Sequence, residues 1–375
     1  MFRSSLFGHK TSRLLAIFSL VLALLSANFG SALASNSEPG AVYIQTNQAA
    51  GNAIAIYNRA ADGTLTLSTI VPTGGFGTGS GLGSQGSVIL SENGRWLLVA
   101  NAGSNEISDF SVDADGLTLV DNIASGGTRP TSLTLYKDLL YVLNAGDAGN
   151  ITGFVMDSSG QLTPLAGSTR LLSGAGTAPA QISFSRDGNA LVVTERATNK
   201  IVTYAVSKDG LASGPSVHDS SGITPFGFAF TQQGVLVVSE AFGGAALASA
   251  VSSYDVSNGS FNVISASVPT DQTAACWIAV SRNGKFAYST NAGSGSVSAY
   301  HVGTDGSLSL IEGNAGLTGG ASPIDASITI NGQYLYVLNG GTHNITAFAI
   351  QADGTLIRIG IFEGLPAGSA GIASW

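Results

Sequence analysis

From about residue 41 to the end of the chain, apolar and polar positions alternate in short runs broken by glycine-bearing turns. This two-residue period, with its β-branched and aromatic enrichment, predicts strands. One stretch shows the plan: strands over Gln181–Ser185, Ala190–Thr194 and Lys200–Val206, and a weaker one near Leu211–Val217. Asp187-Gly188 and Asp209-Gly210 separate them and predict tight turns, because glycine adopts positive φ without steric cost. No helical period appears after residue 34.

The pattern repeats. A hydrophobic strand closes on a polar residue, a short loop follows, then a strand carrying an aromatic, then an Asp-Gly or Asn-Gly turn. The aromatics are Tyr57, Phe110, Phe154, Tyr204, Tyr254, Tyr300 and Phe348, about 48 residues apart. Glycine follows six residues after each, except at Tyr254, where Gly259 comes five later. The strand-closing residues are Asn47, Asn101, Asn144, Glu195, Glu240, Asn291 and Asn339. Four strands repeated seven times predict an all-β protein, a seven-bladed β-propeller with four-stranded antiparallel blades. The first unit begins at Ala41–Ile44, which corresponds to a second strand, and residues 370–374 resemble a first strand. The C-terminal strand is therefore expected to complete the first blade and close the ring.

The first 34 residues break the pattern. Arg3, Lys10 and Arg13 precede an apolar run, Leu14–Leu25, and Ala32-Leu33-Ala34 matches a small-residue cleavage site. This predicts a signal peptide over 1–34, a single propeller domain over 35–375, and a secreted or periplasmic protein with no membrane span after cleavage. Loss of the three cations would move the formal charge from −8 to −11. Such an acidic chain argues against nucleic-acid partners. One cysteine, Cys276, excludes an internal disulfide. A monomer is expected.

Leu140-Tyr141-Val142-Leu143-Asn144, Tyr334-Leu335-Tyr336-Val337-Leu338-Asn339 and the Ser-x-(Asp/Asn)-Gly turns resemble the seven-bladed lactonase propellers. That family includes 6-phosphogluconolactonase-like and carboxymuconate-cyclising proteins, and the likeness spans residues 41–375. It implies a lactone hydrolase acting at the channel.

Strand direction alternates within a blade. The closing Asn/Glu residues and the starts of the inner strands should thus share one face, opposite the Asp-Gly and Asn-Gly turns. Glu195 and Glu240 stand where other blades have Asn. As neighbouring carboxylates at the channel they would activate water, or else pair with an arginine and cap a loop. Arg129 and Arg196 would hold a substrate carboxylate or steady an oxyanion. Asn101, Asn144, Asn291 and Asn339 either present amides to a ligand or cap their own turns. Trp277, Asp325 and Gln85 complete the candidate substrate-binding set, with Phe226 beside Trp277 as an apolar wall. The loop 74–86 reads as a flexible crossover over the channel. Its Gly81-x-Gly83-x-x-Gly86 lacks the following helix that a dinucleotide site needs. Residues 242–250 read as a partial lid.

His218, His301 and His343 are the histidines after residue 34 and lack metal spacing. No cofactor is expected, with a calcium ion on Glu195, Glu240 and Asn oxygens left open. Arg95, Lys137, Arg186, Lys208, Arg282 and Lys285 belong to turns on the opposite face. A neutral or carboxylated lactone is therefore expected before a phosphorylated one. No inner-strand start carries a histidine, which keeps open the alternative of a non-catalytic propeller binding a glycan, small molecule or protein.

Overall fold

The computed structural model describes residues 38–375 except 257 and 258. The expected signal peptide lies outside the described residues. The described chain forms seven antiparallel sheets. Blades 4 to 7 begin with inner strands Pro179–Phe184, Pro225–Phe230, Ala275–Val280 and Pro323–Ile328, and each ends in an outer strand after three sequential pairings. Blade 3 begins at Pro130–Tyr136, and its outer strand is split into Leu162–Pro164 and Arg170–Leu171. Blade 2 has an inner strand of only three residues, Val88–Leu90.

Blade 1 takes its inner strand from the other end of the chain. Ala370–Ser374 pairs antiparallel with Gly40–Gln45, with Tyr43 opposite Ala373 and Ile44 opposite Ile372. The inner strands pack in sequence around a full circle, the last of them against blade 2 on one side and blade 7 on the other. The expected closure is what the structure shows. Joining head to tail leaves no unmatched blade face at either terminus.

The hydrophobic core is distributed between blades. Each of the seven blade interfaces holds its own apolar cluster, such as Val42, Ile44, Tyr57, Tyr336, Leu338 and Ile372 between blades 7 and 1. The seven repeating aromatics are at most 1% exposed. Where they are tyrosines, the hydroxyl bonds the outgoing segment of the preceding blade: Tyr57 to the Glu363 carbonyl at 3.0 Å and Tyr204 to the Leu171 carbonyl at 2.9 Å. Second-strand tyrosines reach the other way. Tyr336 Oη donates to the Gly63 carbonyl at 2.8 Å and Tyr288 Oη to that of Gly354 at 3.0 Å. Gly63 (φ 85°) and Gly354 (φ 86°) turn in the left-handed region, which explains the glycine that recurs after each aromatic. The repeat read from sequence thus places a buried aromatic at every blade seam, and where that residue is tyrosine its hydroxyl latches the preceding blade.

One interface carries an anomaly. Asp109 sits at the position of Ser253, whose hydroxyl caps the Gly306 carbonyl of the next blade at 2.7 Å. Asp109 is fully buried, and neither carboxylate oxygen has a hydrogen-bond partner. Burial raises its pKa to about 8, the dipole of the neighbouring Phe110 N–H opposing the rise and Asp121 adding to it. The folded chain therefore keeps a proton that the unfolded chain releases near pH 4, so stability falls as pH climbs from about 4 to about 8. Asp109→Asn should flatten that decline. Melting temperature recorded at pH 5 and pH 8 checks this: the variant should gain more over wild type at pH 8, and an equal gain at both would contradict the assignment.

Candidate functional site: a plugged channel with an arginine mouth

The channel is divided in two. After the outer strand of blade 1, the chain does not pass directly into blade 2. Residues 76–86 run over the face that bears the strand-closing Asn and Glu residues. They are pinned to blade 1 by Gly79 N–H to Asn47 O at 2.8 Å and Gly77 N–H to Gln48 O at 2.9 Å. The chain then enters the channel at Gln85. The Gln85 N–H donates to Ala180 O of blade 4 at 3.1 Å, and its carbonyl accepts from Ser132 Oγ of blade 3 at 2.6 Å. Its side-chain amide bonds both backbone groups of Ile278 in blade 6, at 2.8 and 3.3 Å. In blade 5, a Cβ added to Gly227 would lie 2.3 Å from Gln85 Oε1, so only glycine admits the plug. Blade 2 has a short inner strand because its start is spent on this crossing. The expected flexible crossover is instead a hydrogen-bonded plug.

On the outer side of the plug lies a mouth with an apolar floor. Phe226, Cys276 and Trp277 are buried there together, the Phe226 and Trp277 rings 4.9 Å apart. Trp277 Nε1 donates to Ser84 O at 3.1 Å, which ties the floor to the plug. Burial pushes the Cys276 thiol up to about 12, so it is a neutral apolar group there. The Arg196 guanidinium lies 4.6 Å from the centre of the Phe226 ring, and its Nε donates to Ala178 O at 3.1 Å. Burial lowers its pKa; the field of Cys276 opposes that shift, and that of Arg129 adds to it. Among the described residues the one ion pair is Lys200–Asp219, so neither Arg129 nor Arg196 has a carboxylate partner. Arg196 thus lies over the apolar floor, in the field of Arg129, and neither cation has a carboxylate counterion.

The rim around this mouth is strained. Arg129, Ala178, Thr224, Ala274 and Ser322 all have positive φ, between 48° and 59°, immediately before their inner strands. A side chain in that region is uncommon, and for β-branched Thr224 it is an outlier. Asn105 and Asn199 hold two of these residues by accepting the N–H of Arg129 and of Thr224, each at 2.7 Å.

The two glutamates do not meet at the channel. Each is 0% exposed and sealed in its own blade. Glu195 accepts from the N–H of Ser173 at 3.0 Å, from its hydroxyl, and from Thr198 Oγ1 at 2.9 Å. Glu240 accepts from Gly222 N–H at 2.8 Å, Ser252 Oγ at 2.5 Å and Ser267 Oγ at 2.7 Å. Each carboxylate is spent within its own blade and crossover, which departs from the expected water-activating pair at the channel. The Asn residues serve the same purpose. Asn144, Asn291 and Asn339 are fully buried, and each donates its amide to two oxygens of its own blade or crossover, Asn339 to Asn344 Oδ1 and Thr346 Oγ1 at 2.9 Å each. Asn101 donates to Ser108 Oγ at 2.7 Å and accepts from Asn52 and Thr73 at 2.8 Å each. The Asn amide nitrogens meet acceptors and the Glu carboxylates meet donors, while Oδ1 of Asn144, Asn291 and Asn339 has no partner among the described residues. Glu195, Glu240, Asn101 and Asn144 tie the incoming crossover to the blade, while Asn291 and Asn339 tie the second strand to the third. Gln85 and Trp277 likewise spend their polar atoms on the plug.

Residues 51–174, 168–242 and 244–363 match the sequence model described as Lactonase, 7-bladed beta-propeller. The chain belongs to this lactonase propeller family. Similar solved structures include a putative 6-phosphogluconolactonase from Bacteroides fragilis, 20% identical over 91% of this chain and 99% of that one, TM-score 0.69. A protein from Lactobacillus plantarum is 20% identical over 90% and 100%, TM-score 0.73. The periplasmic gluconolactonase of Pseudomonas aeruginosa is 16% identical over 88% and 98%, TM-score 0.70. No curated protein sequence matches. At these identities the likeness to solved structures is one of fold.

Within this lactonase propeller, sequence reasoning passed over Asp147. It lies in the loop after the second strand of blade 3, exposed, and accepts from Thr128 Oγ1 at 2.6 Å, one residue from Arg129. Its positive φ of 52° was the kind of signal a sequence conceals, since aspartate tolerates that region without a glycine to mark it. Residues 242–250, expected as a lid, hold a short 3-10 turn at Phe242–Gly244 and are tied to blade 6 by Leu247 N–H to Thr273 Oγ1 at 3.0 Å. Asp325 lies on the other side of the plug. Among the described residues no three His, Cys, Asp or Glu side chains gather as a metal site, and no helix is long and apolar enough to cross a membrane.

Glu240→Ala should cost about 3 kcal/mol, because it strands three buried donors. Urea unfolding reads the loss, and any lactone-hydrolysing rate per folded molecule should stay within about twofold. A rate collapse in a stably folded variant would restore Glu240 to the chemistry.

Proposed function

We propose that this propeller binds and hydrolyses a lactone bearing a carboxylate, at the Arg129–Arg196 mouth. The observation that carries this reading is Arg196 held over Phe226 within the field of Arg129, neither guanidinium having a carboxylate partner among the described residues. One arginine holds the substrate carboxylate, and the other faces the ester carbonyl, whose oxygen gains negative charge as water adds. The water oxygen bonds the carbonyl carbon, the ring C–O bond breaks, and the released alkoxide takes up a proton to give the hydroxy acid. Asp147, in the hydrogen-bonded group beside Arg129, accepts the water's proton. The family, and the lactonase names of the Bacteroides and Pseudomonas proteins, support the lactone as substrate class. The mouth's positive charge supports an anionic lactone over a neutral one.

A second reading is favoured by the burial of Glu195 and Glu240: the mouth binds the anion without turning it over. Steady-state assays on a panel of neutral and carboxylated lactones separate the two. Hydrolysis of carboxylated members should fall about 100-fold in kcat/KM for Arg196→Gln, and kcat should fall in Asp147→Asn. Saturable binding with no turnover across the panel would leave the second reading standing. Neither binding nor turnover would reject both.

The basic and apolar start of the chain supports action outside the cytoplasm. Protein expressed from the full-length sequence and recovered from the periplasm or medium should begin at Ser35. Recovery of uncleaved chain from the cytoplasm alone would contradict this.

A further inference from the structure

Below the plug, the channel widens into a cavity of about 1030 Å³ that has Gln85 and Gly86 at one end and the Asp-Gly and Asn-Gly turns at the other. We infer that this blind cavity is a second ligand site, built for a polyhydroxylated anion of sugar size. The inference stands apart from the proposed function, since Arg129, Arg196, Phe226 and Trp277 all lie beyond the plug and none lines the cavity.

Three features point to that chemistry. The first is the rim. Lys137, Arg186 and Arg282 are exposed there, with Glu92 among the lining residues. None of the three makes an ion pair among the described residues. Arg186 bonds only the neutral Gln232 Oε1, at 2.8 Å, and Lys137 sits 5.1 Å from the centre of the Tyr136 ring. Three cations without ion-pair partners at one opening, on a chain of charge −8, draw anions toward it. Three of the turn cations that seemed remote from any site therefore line this cavity.

The second feature is the wall. Asp325 is 1% exposed and lines the cavity. Its Oδ1 accepts the Ala326 N–H at 2.8 Å, while Oδ2 has no partner. A buried carboxyl oxygen without a partner is costly unless a ligand or water meets it. Near it, Ser327 Oγ and Ser374 Oγ are 2.8 Å apart, and only one of their two protons can serve that bond. Thr134 Oγ1 accepts from Phe184 N–H at 3.0 Å and keeps its own proton to offer. Such groups match the hydroxyls of a polyol.

The third feature is aromatic. Tyr136 of blade 3 and Phe230 of blade 5 line the cavity half-buried, where a ring can meet the C–H face of a sugar. The volume admits such a ligand together with its water.

Titration calorimetry with glucuronate, glucose 6-phosphate and sorbitol tests this on the full mature chain. Both anions or either one should bind saturably, and sorbitol at least tenfold more weakly. The two anions distinguish a carboxylate from a phosphate as the charged group. Arg186→Glu with Arg282→Glu, both exposed and harmless to folding, should weaken anion binding at least tenfold. Asp325→Asn should also weaken it, and Arg196→Gln should leave it unchanged. The inference is overturned if no probe binds, if sorbitol binds as well as the anions, or if rim charge reversal has no effect. It is overturned equally if Arg196→Gln abolishes binding, because the ligand then sits at the mouth. Failure of lactone hydrolysis leaves it intact.

Discussion

The pairing of Ala370–Ser374 with Gly40–Gln45 is the constraint on which the rest depends. Each blade buries its apolar face only against a neighbour, so an open arc would leave two faces wet. Docking the last strand beside the first turns seven marginal sheets into one ring with seven apolar seams. It also fixes the inner strands around a common channel. Every feature with functional meaning is then a matter of what occupies that channel.

What occupies it is the chain itself. Gln85 spans the opening by bonding the backbone of Ile278, Ala180 and Ser132's hydroxyl at once. Amide donors and acceptors that would otherwise face the channel are satisfied across it, and Gly227 leaves the room. The plug converts a through-channel into two compartments with different chemistry. The outer one has an apolar floor and two arginines. The inner one has hydroxyls, a partnerless carboxyl oxygen and a cationic rim.

The glutamates show why position along a strand does not fix a role. The repeat correctly placed Glu195 and Glu240 at the ends of second strands, on the face opposite the turns. Their side chains nevertheless point into their own blades, where serine hydroxyls and backbone N–H groups converge. A buried carboxylate ringed by donors is a structural anchor, chemically the mirror of the Asn residues whose amides meet acceptors. Arg196 differs by one residue from Glu195. The next side chain along an extended backbone points elsewhere, and here that means over Phe226 at the mouth.

The sequence by itself determined the blade number, the four-strand order, the closing strand and which residues share a face. These follow from hydrophobic period and turn chemistry, which are local and repeat seven times. Only the tertiary structure decided that Gln85 plugs the channel, that Glu195 and Glu240 are sealed away, and that Lys137, Arg186 and Arg282 ring a cavity. Those outcomes rest on hydrogen bonds and approaches between blades far apart in the chain, as Gln85 is from Ile278. No repeat encodes such contacts, because each is made once.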